Sequence, residues 1–246
     1  MTIEEKVEKT VEWLRQKVKE TGSKGLIVGI SGGIDSAVVA NLIKLACPEN
    51  SLGVMLPIKN SEEDLNDAKE LIASCGITGL TVDLTSENES ILNKVSEQMG
   101  DLFNEDNRKI ADANMRARLR MTTLYTIANN LNYLVVGTDN AAELLTGYFT
   151  KYGDGGVDIL ALANLLKSEV YEWGAYFNVP KNILDKAPTA GLWEGQTDEK
   201  EMGTTYNYID MYLQGKEIPQ KDKEIIERLN ARSAHKRTMP PHPPKF

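Results

Sequence analysis

Apolar positions along this chain follow two alternating rhythms. Residues 2–20 place Val7, Val11, Leu14 and Val18 at helical spacing behind Thr2-Ile3-Glu4-Glu5, a capping-box pattern, and predict an amphipathic helix. Gly25-Leu26-Ile27-Val28-Gly29-Ile30 then runs apolar without a break, the form of a strand buried on both faces of a parallel sheet. A glycine-rich turn and a helix over Ser36–Ala46 follow. The alternation recurs with a strand over Leu52–Ile58, a helix over Glu62–Ser74 capped by Ser61, and a third strand over Leu80–Leu84. Ser86-Glu87-Asn88-Glu89 reads as a second capping box, and a helix over about Glu105–Asn130 leads to a fourth strand, Tyr133–Gly137. Beyond it lie a glycine-rich loop from Thr146 to Asp158, a short fifth strand within Val157–Leu160 and a helix around Leu165–Phe177. Residues 186–204 mix Pro, Gly and Thr with charges and predict a long loop of the kind that forms lids or binding segments. Strands and helices in strict alternation predict an α/β fold, an open parallel sheet of about five strands with helices on both faces.

Composition narrows the function classes. The 246 residues are 41% apolar, enough for a core without metal or disulfide staples, and are read as one domain, 1–246. Cys47 and Cys75 lie among apolar residues with no Cys-x-x-Cys between them, so they are expected to fill core. No window approaches the ~20 apolar residues of a membrane span, and the start lacks a signal-peptide core, so a cytoplasmic protein is expected. A net charge of −8 argues against a nucleic-acid or anionic-membrane partner. The bases are unevenly spread, however: Arg228 to Phe246 holds five of them, both histidines and no acid, so a local anion site is open.

In an open parallel sheet, ligands bind beyond the carboxyl ends of the strands, which points to the turn after the first strand, Ser31-Gly32-Gly33-Ile34-Asp35-Ser36. Two glycines let backbone N–H groups approach a ligand, the next helix offers its positive end, and two hydroxyls add donors: a phosphate cradle. Asp35 would repel polyphosphate unless a cation lay between them, so Mg²⁺ is implied. The turn is neither a Walker A loop nor a Gly-x-Gly-x-x-Gly fingerprint. It resembles the Ser-Gly-Gly-x-Asp-Ser loop of the ATP pyrophosphatase superfamily, whose members split ATP between the α and β phosphates.

Four further motifs narrow the resemblance. Asn114–Met121, the run Gly137–Glu143 continuing through Thr146–Asp158, Lys186-Ala187-Pro188-Thr189-Ala190 and His235-Lys236-Arg237 make nearly the whole chain resemble the ammonia-dependent NAD synthetases. Ala161, where proline is expected, and the loose loop Gly191 to Thr197 depart from the pattern. The resemblance implies a Rossmann-like, adenine nucleotide alpha hydrolase-like sheet and a homodimer. It also implies a reaction in which ATP adenylates deamido-NAD (nicotinic acid adenine dinucleotide) and ammonia displaces AMP to give NAD. ATP is then expected at Gly29, Ile30, Ser31, Gly32, Gly33, Ile34, Asp35, Ser36, Thr138, Lys167 and Thr189. Deamido-NAD is expected at Arg118, Lys151, Asp158, His235 and Lys236, and Asp35 and Glu143 are expected to be catalytic as the ligands of Mg²⁺.

Arg116, Arg118 and Arg120 cannot all face one pocket, since two residues of helix turn by about 200°; the family spacing selects Arg118, and the roles of the other two stay open. Only 24 residues precede Gly25, so no fused glutaminase is expected and free ammonia is the expected donor. A tRNA-modifying or sulfur-transferring pyrophosphatase, or a nucleotide-binding regulator without turnover, are the competing readings. A reactive cysteine, a basic RNA-binding appendage or loss of the Asp35–Glu143 pair would mark them.

Overall fold

The structure, a computed structural model, describes residues 1–189 and 197–245. Five parallel strands, β1 (Gly25–Gly29), β2 (Ser51–Met55), β3 (Thr78–Thr81), β4 (Tyr133–Gly137) and β5 (Ile159–Leu160), stand in the order β3-β2-β1-β4-β5. The helices are α1 (Ile3–Thr21), α2 (Ile34–Ala46), α3 (Glu62–Cys75), α4 (Thr85–Met99), α5 (Arg108–Leu131) and α6 (Ala141–Thr146), then α7 (Lys167–Tyr176), α8 (Lys181–Leu184), α9 (Asp198–Met202), α10 (Tyr206–Leu213) and α11 (Gln220–Arg232).

β1 shows why its sequence is an unbroken apolar run. Leu26 and Val28 face a core built with α1, α2, α3 and α7, while Ile27 faces the opposite core under α5, shared with Val135 of β4. Each fully buried side chain of this size contributes roughly 1.5–3 kcal/mol. α2 is buried almost all round, from Ala37 through Ile43 apart from Asn41, so the loop at its start sits on a fixed post. A third cluster, with Ala142, Met202, Tyr206, Ile209 and Ile226, packs α6, α9, α10 and α11 together beside β4.

The alternation and the all-parallel sheet agree with the sequence reading, but boundaries differ; β2, for one, ends at Met55 and not at Ile58. β3 covers Thr78–Thr81, not Leu80–Leu84, because it is the edge strand and its ladder residues are exposed. The apolar residues that marked it, Val82 and Leu84, continue past the ladder, their N–H groups donating to the Met55 and Pro57 carbonyls and their side chains packing in the core under α5. Ser86 does not cap α4. The helix begins at Thr85, whose N–H donates to Asp83 Oδ1 at 2.8 Å, so Ser86 and Glu89 lie within the helix itself. The expected loop over 186–204 contains α9, and its part over 190–196, including Ala190, lies outside the described residues. Cys47 and Cys75 are free thiols, partly buried against the core built with α1, α2, α3 and α7. Among the described residues no helix is long and apolar enough to cross a membrane.

β1 is flanked by β2 on one side and β4 on the other, so the chain reverses its direction of travel across the sheet there. A crevice opens beyond the carboxyl ends of these two strands.

Candidate active site

That crevice is a cleft of about 470 Å³, in the size range of small-molecule sites, floored by Gly29–Ser36. Within the loop, Ser36 Oγ donates to the Gly33 carbonyl at 2.9 Å and lies 3.2 Å from Ser31 Oγ, which in turn accepts from the Gly33 N–H at 3.2 Å. The hydroxyls thus hold the turn closed before any ligand arrives. Gly32 has φ +82°, and a Cβ there would come within 2.9 Å of the Asp64 carbonyl oxygen, so both conformation and space demand glycine. α2 starts next with Gly33 at its cap and no side-chain cap bond, leaving its first N–H groups for an anion.

At the Asp35 end of the loop, three charged side chains converge. Lys167 Nζ lies 2.5 Å from Asp35 Oδ2 and 3.5 Å from Glu143 Oε1, with the lysine side chain only 4% exposed. Asn140, fully buried at the cap of α6, holds the other two carboxylate oxygens: its Nδ2 donates to Asp35 Oδ1 at 2.9 Å and its backbone N–H to Glu143 Oε2 at 3.0 Å. Asp210, from α10, caps α7 by accepting from the Lys167 and Ser168 N–H groups, which fixes the base of the lysine. Tyr206 Oη lies 3.1 Å from Glu143 Oε1 and 3.0 Å from Asp198 Oδ2. One hydroxyl proton serves only one of these contacts, so the other calls for a protonated carboxyl. Burial, with Asp35 nearby, pushes the Glu143 carboxyl up to about 7, in keeping with that need. Burial disfavours the Lys167 ammonium, but Asp35 and Glu143 outweigh it and hold its pKa above the usual lysine value.

Further along the cleft, Asp139 Oδ2 is buried with no hydrogen-bond partner among the described residues. Burial, then Asp154, Glu143 and Asp35, raise this carboxyl well above the usual range, and Lys236 offsets only part of the effect. Arg120 donates to the Leu56 carbonyl at 3.0 Å and to Asn60 Oδ1 at 3.1 Å, and burial together with Arg116 lowers its pKa to about 10. On the third side Lys186 reaches Asp64 Oδ1 and Asp67 Oδ2, each at 2.7 Å, and so straps the segment leading to Thr189 onto the α3 turn that backs Gly32.

Every residue assigned to ATP or metal from the sequence, Gly29 through Ser36 with Thr138, Glu143, Lys167 and Thr189, lines this one cleft. Of those assigned to the second substrate, only Lys236 does, with its Nζ donating to the Gly147 carbonyl at 2.8 Å and to the Phe149 carbonyl at 2.5 Å. Arg118 is exposed and donates to the Lys151 carbonyl at 3.3 Å; Lys151 Nζ donates to the His235 carbonyl at 2.5 Å. Asp158 accepts from Tyr125 Oη at 3.0 Å and from the Val135 N–H at 2.8 Å, tying β4 to α5. Arg116 is paired with Asp112. The arginine that faces the cleft is therefore Arg120. Sequence reasoning gave no role to Asn140, Tyr206, Asp198 or Lys186. Asn140 and Lys186 carried a signal, each lying within a quoted motif, while Tyr206 and Asp198 carried none.

The family model for NAD synthase matches residues 6–240. The chain belongs to the NAD synthase family. It is 63% identical over 245 residues to the NH(3)-dependent NAD(+) synthetase of Alkaliphilus metalliredigens, covering 99% of both chains. Among solved structures, NMN synthetase from Francisella tularensis superposes with a TM-score of 0.92 at 43% identity, covering 99% of both chains. The NH3-dependent NAD synthetase from Campylobacter jejuni gives 0.78 at 30% identity, covering 99% of this chain and all of that one. Members of the NAD synthase family thus share this chain's Rossmann-like frame.

Proposed function

We propose that the cleft adenylates the nicotinate carboxylate of deamido-NAD with ATP and then admits free ammonia, yielding NAD, AMP and pyrophosphate. The observation that carries this reading is the convergence of Glu143 and Lys167 on Asp35 of the Ser31–Ser36 loop, within one cleft. In the first step a carboxylate oxygen bonds to the α-phosphorus as the bond to the β-phosphate oxygen breaks and pyrophosphate leaves. In the second, ammonia nitrogen bonds to the activated carbonyl carbon, the bond to AMP breaks, and the nitrogen loses a proton.

The loop N–H groups and the start of α2 bind phosphate oxygens as negative charge shifts toward the leaving pyrophosphate. Thr138 and Thr189 contribute polar contacts to the nucleotide from the cleft wall, and Lys167 a positive charge. Arg118, Lys151, Asp158, His235 and Lys236 are assigned to the second substrate through the family resemblance. Mg²⁺ fits the residues present. Asp35 Oδ2 and Glu143 Oε1 already converge on one cation, and an all-oxygen set suits this ion. Among the described residues no three His, Cys, Asp or Glu gather as a metal site, so the two carboxylates would hold the ion together with oxygens from outside the chain. When bound, the ion would neutralise the triphosphate.

The reading includes a cytoplasmic, single-domain enzyme acting as a homodimer. Ile91, Val95 and Met99 recur every four residues on α4 and are 40–44% exposed, with Leu102 and Ile110 beside them in sequence at 82% and 53%, a face that a second copy would cover. Incubating the protein with MgATP, ammonium and deamido-NAD should release AMP and form NAD; a folded protein that forms none refutes the reading.

A second reading has a specific observation in its favour. The Francisella NMN synthetase superposes better than the Campylobacter NAD synthetase, and four of the five residues assigned to the dinucleotide lie outside the cleft. Under it the acceptor is nicotinate mononucleotide and the product NMN. The ratio of kcat/KM for the two acceptors decides between them.

A further inference from the structure

We infer that Lys167 is a placeholder cation: its ammonium holds Asp35 and Glu143 until nucleotide arrives, then passes to phosphate, so divalent metal enters with ATP and not ahead of it. This rests on the reading above that Asp35 and Glu143 are the metal ligands.

The four carboxylate oxygens are divided between two partners. Asn140 fixes Asp35 Oδ1 and Glu143 Oε2, at 2.9 and 3.0 Å, so neither carboxylate is free to turn away. The remaining two, Asp35 Oδ2 and Glu143 Oε1, both face Lys167 Nζ. A divalent ion that used these oxygens would take over the position of the ammonium. It could not share the site, because a lysine cation and a doubly charged ion a few ångströms apart repel with twice the energy of two single charges, in a pocket where water screens little. The side chains of Lys167, Asp35 and Glu143 are 4%, 19% and 13% exposed.

Lys167 has somewhere to go. Its backbone is pinned by Asp210, so only the side chain moves, and its own N–H is the donor in that 3.0 Å bond. The Tyr206 ring, 4.7 Å from Nζ, supports the cation from one side, and the side chain lines the same cleft as the phosphate loop. A triphosphate bound to that loop offers new oxygens to the ammonium at the moment its metal needs the old ones. Metal and lysine thus exchange anions, and charge in the cleft stays balanced throughout.

The experiment uses Mn²⁺ alone as the probe, titrated into the full chain and followed by electron paramagnetic resonance of the free ion. Lys167→Gln is expected to bind Mn²⁺ at least ten times more tightly than the unsubstituted protein, and Lys167→Arg, which keeps the cation, to match it. Equal or weaker binding by a folded Lys167→Gln overturns the inference. Adding Asp35→Asn to Lys167→Gln should abolish the gain. If the gain persists, the metal-ligand reading is what fails, not the exchange of cations alone. Because Lys167→Gln removes a buried charge, a measurement on the unsubstituted protein stands beside it. Mg²⁺ alone should leave its Tm unchanged while MgATP raises it, and a clear rise with Mg²⁺ alone overturns the inference.

Discussion

The two halves of the candidate site are built on different plans. The nucleotide half is made of buried and partly buried side chains that bond to one another across four elements: Asp35 on α2, Asn140 and Glu143 at α6, Lys167 on α7 and Tyr206 on α10. In the half assigned to the second substrate, Arg118, Lys151 and Lys236 instead donate to backbone carbonyls, and Arg118 is exposed. A network of opposed charges is pre-shaped, because no member can move without exposing another charge to a poorly solvated interior. Lysines and arginines resting on carbonyls keep most of their charge unanswered and await an anion. Preorganisation is therefore concentrated where a polyanion must be strained toward reaction.

The largest break in that contrast comes from the metal pair. Asp35→Asn or Glu143→Gln should lower kcat/KM for the full reaction by roughly 10²–10³-fold or more while circular dichroism shows an unchanged fold. A loss below tenfold would take that residue out of the machinery.

A pH effect comes next. Glu143 is held near 7 in the folded chain, above the ordinary value of an unfolded glutamate, so the folded state binds its proton more tightly. Its contribution is fully present below the unfolded value, near 4.5, and is lost as pH rises through about 7. Thermal melts without ligands should therefore show the unsubstituted protein losing stability relative to Glu143→Gln between pH 5 and 8, by about 3 kcal/mol at most. Parallel curves would mean that the carboxyl titrates normally.

Lys186→Met tests the strap behind the loop. It should cost about 1–2 kcal/mol after allowing for solvent at its partly exposed edge, and raise KM for ATP more than KM for the second substrate. Lys186→Arg should recover much of both, and an equal rise in the two KM values would sever the strap from the nucleotide half. The smallest effect on the fold is expected from Arg118→Ala, with stability changed by about 0.5 kcal/mol or less. If Arg118 binds the second substrate, its KM should still rise roughly tenfold with KM for ATP unchanged, a loss of about 1.4 kcal/mol.

How much of this was legible in the chain follows the same division. β1, the loop and α2 were readable because one continuous segment supplies strand, glycines and buried helix, so local pattern and tertiary role coincide. β3 was displaced by two residues because an edge strand buries little, and the apolar residues that announce it come after its ladder. Asp35 and Glu143 were reachable through motifs and Lys167 through its place in the family pattern, but nothing local marks Tyr206, which lies 63 residues from Glu143 and meets it only through the packing of α10 on α6. Helix geometry showed that three alternating arginines cannot share one pocket. That Arg120 is the inward one depends on the Leu56 carbonyl and Asn60 beyond the end of β2, 64 and 60 residues away in the chain.

Asn140 carries a consequence of a chemical kind. Its Oδ1 accepts from the N–H groups of Ala142 and Glu143 while its Nδ2 donates to Asp35. Hydrolysis of that one amide to a carboxylic acid would leave the acceptor, and with it the start of α6, but would turn the donor into an oxygen facing another carboxylate. Spontaneous deamidation there would age the catalyst without unfolding it, a silent loss that a thermal melt would miss and an intact-mass shift of about one dalton would reveal. The complete burial of Asn140 keeps the water that such hydrolysis needs away from the amide.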